Sequence, residues 1–194
     1  MRRAIGGSTS RGEFQMTRVA IQGIRGSYSE EAATKLLGES AEIIECSSFA
    51  EAIDAVRTLS CYALVPVANT IVGNIGETDE LIATRDLRIN DEIALDIEHV
   101  LAGAIDAEFS AVEEVVSHPV ALQQCRRFFD SNPQVASTRG IDTASSIRDV
   151  VKAGLVGRAA IGSRRAAEMY GAKVLLDDIA DSRGNRTTFY LVGK

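Results

Sequence analysis

The chain has 194 residues, 45% of them hydrophobic and 25% charged, with a formal net charge of -6. That length buries enough surface for one ordinary domain or two small lobes sharing a cleft, and no apolar run approaches the roughly 20 residues of a membrane-spanning helix. The acidic balance argues against a nucleic-acid partner, because phosphate backbones are bound mainly by clustered Lys and Arg, so any anionic ligand needs a locally positive site.

Cys46, Cys61 and Cys125 are odd in number, far apart and free of CxxC spacing. They read as buried small hydrophobes in a reducing, cytoplasmic setting rather than as a disulfide framework. The two histidines, His99 and His118, have no Glu or Cys at metal-ligand spacing, so no zinc site is expected. A Gly-Lys-Ser/Thr loop for nucleotide triphosphates is missing as well. Residues 1–15 hold Arg, Gly and Ser without an apolar core segment, which rules out a secretory signal and leaves a flexible extension. The organised unit is expected over 16–194.

In chain order, short apolar strands alternate with amphipathic helices. The pattern predicts a strand at 19–21, a helix at 29–37, a strand at 42–46, a helix at 48–59 and a strand at 62–67. After a long extended stretch at 91–104 the plan repeats: strand 114–116, helix 119–129, strand 134–136, helix 143–153, strand 159–162. A helix at 163–170, a strand at 174–177, a polar loop at 180–186 and a final strand at 187–192 complete the chain. Two βαβα passes imply an α/β fold of two similar small lobes with mostly parallel sheets, periplasmic-binding-protein-like, with the site in the crevice between them. The expected bounds are 17–97 for the first lobe, 98–178 for the second, and 179–194 for a C-terminal segment at the junction.

Four segments carry residues suited to chemistry. Gly23-Ile24-Arg25-Gly26-Ser27-Tyr28-Ser29 joins a strand to a helix, where glycines allow close backbone approach and Ser27 can cap freed amides that favour anions. Pro66-Val67-Ala68-Asn69-Thr70 ends a strand on an amide that both donates and accepts. Ser117-His118-Pro119 opens the second lobe's first helix, with Ser117 expected as its cap and Gln124-Cys125 downstream. In Asn185-Arg186-Thr187-Thr188-Phe189, strand alternation sends Arg186 and Thr188 one way and Thr187 and Phe189 the other. Each segment also has a plain structural reading as a turn, a cap or an edge strand.

Taken together and in order, these segments, with Tyr170-Gly171 before the closing strands, resemble the prephenate dehydratase family over about 175 residues. The family's Pro-x-Glu-Asn-Ser/Thr, Ser-His-Pro with Gln-Cys, and Asn-x-Thr-Arg-Phe elements correspond to 66–70, 117–125 and 185–189. The resemblance implies conversion of prephenate to phenylpyruvate with loss of carbon dioxide and water, in phenylalanine biosynthesis, without a cofactor. It makes Thr187 the hydroxyl that assists departure of the leaving oxygen. Asn69, Ser117 and Gln124 would orient the dicarboxylate, with Thr70, Thr143 and Ser27 as further contacts. It also implies a homo-oligomer, and the chain stops where many relatives continue into an ACT regulatory domain, so feedback control within it is not expected.

Ala68 stands where the family has Glu, Thr188 where it has Arg, and Ile24 where it usually has Pro. Arg186, on the same strand face as Thr188, is the expected substitute for the lost positive charge, with Arg183 and Arg25 behind it. Two other readings follow from these departures: a relative with an altered outcome, a decarboxylase or an arogenate dehydratase, and a silent small-anion binding protein.

Overall fold

The computed structural model describes residues 17–194; the extension expected over 1–15 lies outside the described residues. Two sheets form. The first holds β1 (Arg18–Gln22), β2 (Glu42–Cys46), β3 (Tyr62–Asn69), the two-residue β4 (Gly73–Asn74) and β5 (Arg88–Asp96). The second holds β6 (Val100–Gly103), β7 (Glu114–Ser117), β8 (Ala136–Arg139), β9 (Arg158–Gly162) and β10 (Lys173–Leu176). The closing strand β11 (Arg186–Gly193) returns to the first sheet, between β3 and β5 in the order β2-β1-β3-β11-β5. The second sheet runs β10-β6-β9-β7-β8.

Each sheet is parallel on one side and antiparallel on the other. β1 pairs in parallel with β2 and β3, and β7 with β8 and β9, as βαβ crossovers require. The pairings of β11 with β3 and β5, and of β6 with β9 and β10, are antiparallel. The sheets are therefore mixed rather than mostly parallel: parallel order follows the two βαβ passes, and the returning segments β11, β5, β6 and β10 add the antiparallel pairings.

Strand periodicity explains the packing. In the first sheet Ala20, Ala63, Val65 and Val67 face α2 (Phe49–Thr58), whereas Val19, Ile21 and Leu64 face α1 (Tyr28–Leu37). In the second, Leu101, Val115 and Ile161 pack on the Cys125 and Phe128 side, and Val100, Ala102 and Ala160 on Ile147 and Val150 of α6 (Thr143–Ala153). Full burial of residues such as Ile53 and Ile147 stabilises by about 1.5–3 kcal/mol each. All three cysteines are free and buried, as expected. Burial pushes the Cys46 thiol up to about 11 and that of Cys125 up to about 12, so neither is a nucleophile near neutral pH.

Two features were not legible. Gly76–Thr84 forms α3, between the strand at 62–67 and the extended stretch at 91–104, where the sequence predicts no element. The helix expected over 119–129 breaks into α4 (Pro119–Gln123) and α5 (Arg126–Ser131). The break has a tertiary cause: Asp181, from the polar loop, accepts the amides of Arg126 and Arg127 and so starts a new helix there.

The halves meet along a seam between α1 and α7 (Arg164–Tyr170). Gly26, at φ +85°, lies so close to α7 that an added Cβ would sit 3.1 Å from the Ala166 Cα. Ser163 Oγ donates to the Gly26 carbonyl at 2.9 Å, and Tyr170 Oη to the Arg25 carbonyl at 2.6 Å. Arg165 grips the buried Glu30 through Nε at 2.6 Å and Nη2 at 2.8 Å. Burial pushes the Glu30 carboxyl up, but the Arg165 hydrogen bonds and charge, with the Gly26 amide and the Thr34 hydroxyl, hold it below the usual glutamate value.

Candidate active site

On the other side of the same turn, between the sheets, lies a cavity of about 550 Å³, large enough for a small dicarboxylate. The starts of α1, α2, α3, α4 and α6 all contribute lining residues. Ser27 caps α1 by accepting the Glu30 amide, Ser48 caps α2 by accepting that of Glu51, and Asp142 caps α6 by accepting that of Ser145. Strand carboxyl ends meet helix amino ends here, as βαβ geometry requires.

The polar floor comes from β3 and β11. In their register Thr187 lies opposite Asn69, and both line the cavity. Asn69 Oδ1 accepts the backbone amides of Ile71 and Val72 at 2.9 and 3.0 Å, which fixes which end of the side chain is oxygen. Its Nδ2 then donates to Thr187 Oγ1 at 2.8 Å and to Asn185 Oδ1 at 2.7 Å. Thr187 is only 8% exposed, and its hydroxyl oxygen is held as an acceptor. Its proton therefore remains available to a ligand in the cavity.

From Asn185, Nδ2 donates to Gln124 Oε1 at 3.3 Å, and Gln124 Oε1 also lies 2.9 Å from His99 Nε2. On its other side His99 Nδ1 meets Tyr28 Oη at 2.8 Å. Burial pulls the His99 pKa below its ordinary value and raises that of Tyr28 well above its own. The break between α4 and α5 is what frees the Gln124 side chain to enter this network.

The cavity thus gathers Thr187, Asn69, Gln124, Ser27 and Thr143 among the residues expected from sequence, although Asp142 rather than Thr143 caps α6. Three expected contacts do not reach it. Ser117 is fully buried and donates to the Ile161 carbonyl at 2.7 Å, and the cap of α4 is His118, whose Nδ1 accepts the Val120 amide. Thr70 is exposed and latches the loop before β11, donating to the Gly184 carbonyl and accepting the Arg186 amide. Arg186 points to the other face of β11, as alternation demands, and pairs with its cross-strand neighbour Asp96 at 2.7 Å.

Arg25 and Arg183 do not line the cavity either, and Arg183 pairs with Asp178. Among the described residues no Lys or Arg lines it, whereas Glu77 and Asp142 do. The positive potential expected for an anion has to come from helix-start amides. Two of the three departures prove to be one feature: Ala68 and Thr188 are cross-strand partners, and neither lines the cavity, while Ile24, the third, packs against the core around Ala166 and Ala167. A Glu and an Arg there would face each other beside the site rather than point into it, so their joint absence leaves the polar floor intact.

Sequence reasoning passed over Ser48, Asn185, Tyr28 and His99. Ser48 and Glu51 match a Ser-x-x-Glu capping signature that could have been found, although the Glu51 carboxylate accepts the Ser47 amide and hydroxyl rather than the Ser48 amide. Asn185 stood inside a quoted motif without a role, and His99, alone in an extended stretch, carries no sequence signal. No three His, Cys, Asp or Glu side chains gather among the described residues where they could hold a metal ion, and no described helix is long and apolar enough to cross a membrane.

The chain's likenesses agree with this geometry. A family model for prephenate dehydratase matches residues 19–194. Arogenate dehydratase 5 of Arabidopsis thaliana is 35% identical over 179 residues, covering 91% of this chain and 42% of that protein. The bifunctional chorismate mutase/prephenate dehydratase of Buchnera aphidicola is 32% identical over 185 residues, covering 93% of this chain and 48% of that protein. The chain therefore spans about half the length of the curated relatives it matches. The structure of an Arthrobacter aurescens prephenate dehydratase in complex with L-Phe superposes with a TM-score of 0.83 at 30% identity, covering 92% of this chain and 60% of that one. The protein GqqA, described as a novel type of quorum quenching acylase, superposes with a TM-score of 0.81 at 26% identity, covering 91% of this chain and 64% of that one. This chain belongs to the prephenate dehydratase family.

Proposed function

We propose that the cavity carries out decarboxylating dehydration of a prephenate-type ring, with Thr187 as the catalytic residue. The supporting observation is the orientation of Thr187: Asn69 donates to its oxygen, so its own proton can be given to a departing hydroxyl. Loss of the ring carboxylate as carbon dioxide leaves an electron pair that moves into the ring. The ring hydroxyl departs from the opposite carbon, taking up one proton to become water, and the ring becomes aromatic. A hydroxyl donor preorganised where negative charge develops lowers that barrier, and such donors are worth about 10²–10³-fold in rate. Helix-start amides at Ser48 and Thr143 offer further donors to the carboxylates.

One observation favours arogenate, the amino analogue, as a second substrate. Glu77 and Asp142 line the cavity and no Lys or Arg among the described residues does, and carboxylates suit a ligand that carries an ammonium group. Turnover of each substrate by the purified chain, followed by the ultraviolet absorbance of phenylpyruvate or by phenylalanine release, tests both readings. Turnover of at least one is expected, and turnover of neither overturns the proposal.

A further inference from the structure

Thr187 is not oriented by Asn69 alone, because Asn69 is the end of a hydrogen-bond chain that crosses from one half of the molecule to the other. The chain runs Thr187–Asn69–Asn185–Gln124–His99–Tyr28, and it draws on β11, β3, the loop before β11, the α4–α5 break, the crossover between β5 and β6, and α1. His99 is 2% exposed, with a polar side chain on both of its ring nitrogens. A lone buried histidine is more often a satisfied core residue, so the question is whether its hydrogen-bonding sense reaches Thr187.

The sense of the chain is set at one end by the Ile71 and Val72 amides, which hold Asn69 Oδ1. Asn69 must therefore donate to Asn185, Asn185 must donate to Gln124, and Gln124 Oε1 must accept from His99. Only an imidazole with its proton on Nε2 satisfies that last contact. The opposite tautomer would make Gln124 turn its amino group to His99 and face the amino group of Asn185. Turning Asn185 in response would set its amino group against that of Asn69, so a donor–donor clash would land on the side chain that holds Thr187.

We propose that His99, as its Nε2–H form, is a positioning residue that keeps Gln124 and Asn185 in the sense that leaves the Thr187 proton free for the leaving oxygen. Tyr28 can accommodate this form from the far side. Its hydroxyl lies 2.8 Å from His99 Nδ1 and 2.6 Å from the Glu98 carbonyl, so its single proton has two acceptors. With neutral His99 that proton goes to Nδ1. If Nδ1 gains a proton, Tyr28 turns its own to Glu98, and Nε2–H still donates to Gln124. The titratable and charged groups around this pair are Glu31 from α1, Glu98 from the crossover, Cys125 at the α4–α5 break and Asp181 from the polar loop beyond it. The role rests on the dehydratase reading.

The test pairs two conservative variants. His99→Gln keeps a donor near the Nε2 position, whereas His99→Asn keeps a group near Nδ1 and cannot reach Gln124. The expected result is a loss of kcat of about tenfold or more in His99→Asn, with KM little changed and kcat largely restored in His99→Gln. In a Thr187→Val background the His99→Asn loss should vanish, because the two residues act through one path. An equal kcat loss in both His99 variants, or a loss fully additive with Thr187→Val, would reduce His99 to a structural residue and overturn the role. Nitrogen NMR of the imidazoles gives a readout that needs no turnover, and with two histidines in the chain His118→Asn assigns the spectrum. An Nδ1–H tautomer at neutral pH overturns the inference outright. Wild-type protein without turnover overturns the dehydratase reading instead, and the tautomer then decides the hydrogen-bond chain by itself.

Discussion

The turn at residues 23–29 has a closed side and an open side. On the closed side Gly26 abuts Ala166, and Arg165 holds the buried Glu30 with two hydrogen bonds. On the open side Ser27 caps α1 at the rim of a cavity whose floor is polar and carries no cationic side chain among the described residues. An ion pair is thus placed where it locks the two halves together, whereas the hydrogen-bond donors on the cavity floor are neutral. A seam that fixes the α1 start relative to the second sheet is what allows weak, directional hydrogen bonds to be held in register across the junction.

Thr187→Val strikes the open side alone. We expect kcat to fall on the order of 10²–10³-fold with little change in melting temperature, as measured by steady-state turnover and thermal unfolding. Equal loss in both measurements would mean that Thr187 holds the fold rather than the reaction.

Arg165→Ala strikes the closed side, leaving the Glu30 carboxylate buried without its partner. Discounted for the partly exposed guanidinium, the expected cost is about 1–3 kcal/mol in denaturant unfolding near neutral pH. The pH dependence sharpens this. Glu30 titrates below the usual glutamate value in the folded protein, so its contribution is present above that value and is lost as pH falls through the lowered one. In Arg165→Ala burial acts unopposed by the guanidinium, and the acid loss of stability should flatten or reverse. An unchanged acid limb would show that the pair contributes nothing.

Gly26→Ala tests the same seam sterically. The new Cβ would meet the α7 backbone at 3.1 Å, from a positive φ that alanine disfavours, and a loss of about 1–2 kcal/mol is expected in thermal or denaturant unfolding. Smallest of all should be Arg186→Ala, which removes an exposed pair with Asp96 on the face of β11 turned away from the cavity. Its kcat is expected to stay within about twofold of wild type. A large drop would return a cationic role in the site to this arginine.

How much of this was legible depended on the range of the forces involved. Alternation along β11 separates Thr187 from Arg186 and Thr188 in sequence and in structure alike, because strand geometry is local. The βαβ passes were readable for the same reason, and so was Ser27 as a cap. Ser117 misled because Ser ahead of a Pro-initiated helix is a good local cap signal, yet the Ile161 carbonyl across the sheet took its hydroxyl and left the cap to His118. Gln124 was named from a motif, but the reason it reaches the cavity is the helix break that Asp181 imposes from 57 positions along the chain, since Asp181 also donates its amide to the Gln124 carbonyl.

By itself the sequence determined most of the strand and helix order, the doubled plan, the burial of the cysteines and the chemical character of the segments that face the cleft. These follow from periodicity, capping and residue size, which act over a few neighbouring positions. Only the tertiary structure decided that Ala68 and Thr188 face each other, that Arg186 belongs to Asp96, and that His99 is tied to Thr187 through three amides. Register and side-chain hydrogen bonding join residues far apart in the chain, and their direction depends on every partner being in place at once.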